Sequence, residues 1–486
     1  MKKSIKRNYM YNLSYQILSM IAPLVTTPYI SRILGAELIG RNSYASAIAT
    51  YFSLFAAMGT TIYGQREISY FQDEKKKRSI KFWNIKILTC ISVILMLFIY
   101  NIYILFLSRD KILAAIFGVT ILTVLVDVTW FFQGMEQFDR IATRNIIIKI
   151  AQLLFIFLFI KDRNDFYLYV IGNVGFSLLS AVLLWIYIPK YIKKIPKTEI
   201  RPLGELLPVW SLFIPTIAVS IYTLLDKTMI GICSDSTIQN GYYEQSLTVI
   251  RFLQSFVTSL GVVMIPRIGN CFEKSDYESV KKYMYKSYNF VWMIGIPLCL
   301  GVIATAPVFV PWFFGENFLE VVPLVRILSL LLLAIGVNNV TGNQYLIPTK
   351  RQKMYTKSVV IGAIVNFILN LCLIPKYKAF GAACASVVAE SVIAIIQIYW
   401  VRTELCIKNI VNISWKYIIS GIVMTCVVIG TERSMDATAT NLVILVLVGS
   451  IVYLVVLGLL KEKMLFGYLK QVCRKMLRML KKEENC

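Results

Sequence analysis

The sequence predicts an all-α integral membrane protein with about fourteen transmembrane helices. Three observations predict it. Of the 486 residues, 57% are hydrophobic and only 16% are charged, whereas soluble domains run at about 45–50% apolar and about 25% charged. Apolar stretches of about 18 residues or more recur through most of the chain, each long enough to cross hydrocarbon. The short segments between them alternate in basic charge, as the loops of a multi-pass protein do.

The expected spans are 9–31, 42–64, 83–107, 112–133, 143–160, 166–188, 208–232, 243–266, 285–306, 320–342, 356–374, 380–401, 415–431 and 440–460. The first follows the basic stretch MKKSIKRNY. It is too long for a signal-peptide core and ends without a small-residue cleavage site, so it reads as an uncleaved helix. The loop after the second span holds Arg66, Lys75, Lys76, Lys77, Arg78 and Lys81. The loops after the sixth, eighth and tenth spans are also rich in Lys and Arg, and those after the seventh and ninth have none. Basic loops face the cytoplasm, which places both termini inside. A tail at 463–486 carries Leu and Met at helical spacing among Lys and Arg, which suits a cytoplasmic helix lying on an anionic leaflet.

The chain contains an internal duplication. GRNSYASAIATYFSLFAAMGTTIYGQRE at 40–67 parallels GYYEQSLTVIRFLQSFVTSLGVVMIPRIG at 241–269. The preceding segments match too: IAPLVTTPYISRILG at 21–35 and FIPTIAVSIYTLLDKTMIG at 213–231, with interior prolines Pro23 and Pro215. An even number of helices per repeat gives both copies the same orientation in the membrane. The expected organisation is therefore a six-helix bundle over 1–200, a second over 201–407, two additional helices over 408–462 and the tail. The two bundles would surround a central cavity, and Pro-interrupted helices at matching positions point to a transporter's binding region.

Charges inside the spans narrow the function, because an ionisable group in hydrocarbon costs about 2.5–3.5 kcal/mol and normally faces a cavity or partner. Lys149 and Arg251 lie near mid-membrane, too deep to reach an interface. Asp226 and Lys227 are adjacent and point about 100° apart on a helix, so they do not pair with each other. Asp127 lies in the fourth span and Glu390 in the twelfth, and Glu244 stands at the start of the eighth. The chain has no His, which removes His-based zinc sites, triads and proton relays. No phosphate-binding GxxxxGK[ST] loop occurs, and no outward loop is large enough for a sugar-transfer site. An enzyme is not expected, and neither is a cofactor. The formal charge of +24 reflects cytoplasmic loops rather than nucleic-acid binding.

Several segments resemble the polysaccharide repeat-unit flippases of the multidrug/oligosaccharidyl-lipid/polysaccharide exporter superfamily. They are PYISRILGAELIGRNSYA at 28–45, DVTWFFQGMEQF at 127–138, LDKTMIG at 225–231 with GYYEQ at 241–245, GNQYLIPTKRQK at 342–353 and VNFILNLCLIPKYKAFGAACASVVAE at 365–390. The resemblance covers residues 5–460. It implies an undecaprenyl-diphosphate-linked oligosaccharide moved from the inner to the outer leaflet of the bacterial plasma membrane by alternating access. It implies Arg32, Lys149, Lys227 and Arg251 as cavity cations for the diphosphate. Asp127, Asp226 and Glu390 would serve ion coupling or gating, with H⁺ or Na⁺ as the coupling ion. Expected partners are membrane lipids, a polysaccharide polymerase and glycosyltransferases. A peptidoglycan-precursor flippase and a multidrug antiporter of the same superfamily are the alternatives. The basic lean of the mid-span charges speaks against the antiporter, whose cationic substrates call for an acidic cavity.

Overall fold

The computed structural model describes residues 5–234 and 236–462. The expected tail at 463–486 lies outside the described residues. The described residues form an all-α protein without strands. In lipid every backbone amide needs an internal partner, and a helix is the only local way to supply it.

The elements follow in chain order. They are α1 (Ile5–Ala57), α2 (Thr60–Tyr70), α3 (Lys75–Phe106), α4 (Lys111–Val126), α5 (Thr129–Gly134), α6 (Phe138–Phe159), α7 (Phe166–Leu183) and α8 (Ile188–Tyr191). Then come α9 (Leu206–Cys233), α10 (Ile238–Thr258), α11 (Gly261–Glu273), α12 (Tyr277–Phe314), α13 (Val321–Leu328) and α14 (Leu331–Asn338). A π-helical stretch over Asn339–Leu346 precedes α15 (Gln352–Val401), α16 (Ile407–Glu432) and α17 (Ala439–Leu459).

Among the described residues, eleven helical stretches are long and apolar enough to cross a membrane, and the chain is a multi-pass membrane protein. Two of these stretches each contain two of the expected spans. One bends at Gly35 (φ 71°) inside α1 and the other at Lys378 (φ 51°) inside α15. The expected span at 208–232 coincides with α9. The spans expected at 42–64, 112–133, 243–266 and 320–342 are correctly located but are each interrupted. The sequence pattern misses these breaks because hydropathy runs through them unchanged.

The chain folds as two compact units, Met1–Gln245 with Asn366–Ala382, and Ser246–Val365 with Ala383–Cys486. The first unit holds a buried aromatic cluster at the end where α2, α3 and α5 meet. Phe82 stacks on Trp130 at 5.7 Å, and Phe131 and Phe132 are fully buried beside them. In the second unit α12 packs along α16 and α17, with Ile296, Tyr417, Met424 and Tyr453 in its core.

The segment leading into α9 is fastened to the first turns of α3. Lys75 Nζ donates to the carbonyl of Lys190 at 3.1 Å, and Arg78 Nη2 donates to that of Tyr191 at 2.8 Å. Ser79 Oγ accepts from the amide of Lys193 at 2.9 Å, and Asn84 Oδ1 accepts from that of Arg201 at 2.8 Å. Glu205 closes the series: its buried carboxylate accepts from Tyr63, from Lys81 Nζ at 2.9 Å and from Asn84 Nδ2 at 3.1 Å. Burial alone would raise the Glu205 pKa, but the hydrogen bonds from Tyr63, Lys81 and Asn84 outweigh it and hold it below the ordinary value. A depressed folded-state pKa means that the contribution is complete above the ordinary Glu range and is lost as pH falls from that range through the lower folded-state value. Glu205→Ala removes one acceptor from three donors and is expected to cost about 1–3 kcal/mol. Thermal unfolding of the purified protein checks it. The wild type should lose more stability than Glu205→Gln as pH falls below the ordinary Glu range.

Candidate functional site

The first unit holds an open polar cavity of about 510 Å³. It is built by polar residues at helical spacing on otherwise apolar helices. Thr50 and Ser53 come from α1, and Thr120 and Thr123 from α4. Asn145, Lys149 and Gln152 come from one face of α6, and Asn173 and Ser177 from α7. These four helices pack on one another in pairs, so their polar stripes converge.

Two cations line the cavity. Lys149 Nζ donates to Gln152 Oε1 at 3.1 Å, and Gln152 Nε2 donates onward to Asn173 Oδ1 at 2.6 Å. Arg144 donates through Nη1 to the carbonyl of Ser180 at 2.9 Å and through Nε to Asn145 Oδ1 at 3.0 Å. Both cations are thus oriented by neutral partners, which leaves their charge uncompensated by those contacts. Sequence reasoning named Lys149 and missed Arg144. The signal was available: Arg144, Asn145, Lys149 and Gln152 recur at the spacing of one helix face.

Asp127 lines the same cavity, at the break between α4 and α5. Its Oδ1 accepts from the Thr129 amide at 2.9 Å and from Thr129 Oγ1 at 2.5 Å. The break frees two carbonyls, and side chains satisfy them. Trp185 Nε1 donates to Val126 O at 2.6 Å, and the buried Lys86 donates to Asp127 O at 3.1 Å. Non-helical backbone at membrane depth is tolerated where it lines a cavity or is buried in protein. Lys86 escaped the sequence reading.

The other candidates do not line this cavity. Lys227 on α9 forms an ion pair with Glu244 on α10, and Ser43 Oγ donates to the same carboxylate at 3.0 Å. Its neighbour Asp226 takes a different set of partners, as the 100° offset requires. The Asp226 carboxylate is buried and accepts from Tyr243, from Asn366 Nδ2 at 3.1 Å and from Asn370 Nδ2 at 2.7 Å. Arg32 on α1 and Arg251 on α10 are exposed. Glu390, in the second unit, accepts from Asn338 at both its backbone and side-chain oxygens. The geometry therefore brings Lys149, Arg144 and Asp127 to one cavity, pairs Lys227 with Glu244, and gives Asp226 its own set of donors in Tyr243, Asn366 and Asn370.

An Escherichia coli (strain K12) protein named "Putative O-antigen transporter" is 23% identical over 413 residues, which span 83% of this chain and 98% of that one. A solved structure titled "Lipid II flippase MurJ, inward closed conformation" is similar with a TM-score of 0.74 at 15% identity, over 94% of this chain and 99% of its own. An inward-facing multidrug resistance MATE family transporter of the MOP superfamily gives a TM-score of 0.61 at 12% identity, over 81% of this chain and 95% of its own. These two likenesses bear on the fold. The pattern of the family described as "Polysaccharide biosynthesis protein" matches residues 5–272. With more than half of its 486 residues matched in one continuous stretch, this chain belongs to the polysaccharide biosynthesis protein family.

Proposed function

We propose that the protein is a flippase for a polyprenyl-diphosphate-linked oligosaccharide, moving its head group from the inner to the outer leaflet of a bacterial plasma membrane. The observation that carries this reading is the cavity holding Arg144 and Lys149. An isolated buried charge costs tens of kcal/mol by Born estimates, so a diphosphate does not cross hydrocarbon unaided. Guanidinium and ammonium groups in a hydrated cavity offset that cost through charge-assisted hydrogen bonds. The hydroxyls and amides beside them suit sugar hydroxyls. The family and the relative named as an O-antigen transporter support the same substrate class. The prenyl chain stays in lipid throughout.

Movement in one direction needs a driving force. Asp226 is the strongest coupling-ion group, because its carboxylate sits with the amides of Asn366 and Asn370, whose oxygens are hard donors suited to Na⁺ after a side-chain flip. Proton coupling, in a chain without His, falls to the same carboxylate or to Asp127. Lys227 with Glu244 acts as a gating pair that is made and broken during the cycle.

Export tests the proposal. Arg144→Ala with Lys149→Ala should abolish surface polysaccharide while the protein persists in the membrane, and Lys149→Arg should retain most of it. Undiminished display in the double variant would sink the assignment. Mass spectrometry of co-purified lipid separates the substrates: a repeat-unit oligosaccharide supports this reading, and a muropeptide head group makes the protein a peptidoglycan-precursor flippase.

A further inference from the structure

We propose that the first unit carries a second anion-accepting site, at the membrane surface opposite its basic loop. It would take a phosphate or carboxylate borne on a lipid or saccharide head group. The site is a cavity of about 570 Å³ lined by Arg41, Tyr44, Tyr103, Arg109, Asp110 and Lys111, among others. It lies at the end of α3, whose other end begins with Lys75, Lys76, Lys77 and Arg78. Since Lys and Arg collect on the cytoplasmic side, this cavity faces outward.

Three features set it apart from an ordinary loop surface. The first is its charge. Arg109 in the α3–α4 connection and Lys111 at the first position of α4 stand on the side where basic residues are depleted. The second is the way the charges are committed. Asp110 forms an ion pair with Arg41 and caps α4 by accepting from the Leu113 amide at 3.1 Å. Glu37 pairs with Arg163 at 3.3 Å. Both acids at the cavity are thus neutralised, whereas Arg109 and Lys111 form no ion pair among the described residues. The cavity wall keeps a positive surplus. The third is the aromatic wall. Tyr103 stacks on Tyr100 at 5.6 Å, and Tyr44 lies beside them. A cationic rim against tyrosine faces matches a head group that carries an anion next to an apolar sugar or glycerol face.

Two sources supply that chemistry at the outer surface. One is the diphosphate or acidic sugar of a delivered lipid-linked saccharide, and this source rests on the flippase reading above. The other is a resident anionic phospholipid, which does not depend on it.

The test uses the full chain in nanodiscs of phosphatidylcholine, with native mass spectrometry of retained lipid after addition of phosphatidylglycerol or undecaprenyl diphosphate. Arg109→Gln with Lys111→Gln removes two charged donors and should weaken retention of one probe at least about tenfold, which the loss of even one charge-assisted contact would give. Loss confined to undecaprenyl diphosphate assigns the delivered head group, and loss of phosphatidylglycerol assigns the resident lipid. Arg109→Lys with Lys111→Arg should bind as the wild type does. Retention of both probes at the wild-type level in the Gln variant overturns the proposal. Should that variant fail to fold, Arg109→Gln alone is measured against the same criterion. The Arg144→Ala and Lys149→Ala proteins serve as the independent check. Failure of the flippase reading appears there, with the outer site unaffected.

Discussion

Alanine at Gly40 or at Gly241 is expected to push α1 away from the α9–α10 turn, with a loss of about 1–3 kcal/mol or more for each variant. A Cβ at Gly40 would lie 1.8 Å from the carbonyl oxygen of Thr237, and one at Gly241 would lie 1.9 Å from that of Ala36. The obstacle in both cases is backbone, which has no rotamer to escape into, so the helices themselves must separate. The contact is reciprocal. Ala36 precedes Gly40 by one turn and Thr237 precedes Gly241 by one turn, so each glycine admits the carbonyl of the other segment. These are the two glycines that open the duplicated segments of the sequence. Thermal unfolding of both variants checks the expectation, with Gly175→Ala as a control. That helical glycine has nothing within 4 Å of its added methyl, and its replacement should be neutral or stabilising by up to about 1 kcal/mol. Wild-type stability in both Gly40→Ala and Gly241→Ala would refute the close contact.

Removing the Asp226 carboxylate should have the second large effect. Asp226→Ala takes a shared acceptor from Tyr243, Asn366 and Asn370, all of them buried. Each buried donor left without its acceptor costs about 1–3 kcal/mol, because the groups left behind have been desolvated. Asp226→Asn keeps the size and one acceptor, so it should fold more stably than the Ala variant. The two variants separate structure from coupling. If the carboxylate holds the coupling ion, Asp226→Asn should fold near normally yet lose the dependence of export on the Na⁺ or proton gradient. Unchanged ion dependence in a folded Asp226→Asn protein would leave the group a purely structural one.

The sequence by itself determined the all-α membrane fold and named Lys149, Asp127, Asp226 and Lys227 within the spans, while Arg144 and Lys86 were missed. Hydropathy is a property of each segment alone, because every residue in a span meets the same solvent, so the all-α membrane fold and the position of each span were legible. The separation of Asp226 from Lys227 was legible for the same reason, since one helical step fixes the angle between neighbours. What the tertiary structure alone decided is which charges share a space. Lys149 and Arg144 face one cavity because α1, α4, α6 and α7 turn their polar stripes inward together. Lys227, which the family resemblance grouped with Lys149 as a cavity cation, is instead matched to Glu244, and Lys86 serves the break at Asp127. These pairings join residues from 17 to more than 100 positions apart, for example Tyr243 with Asp226 and Asn370 with Asp226. Their geometry follows from helix rotation and packing, which no local window of sequence encodes.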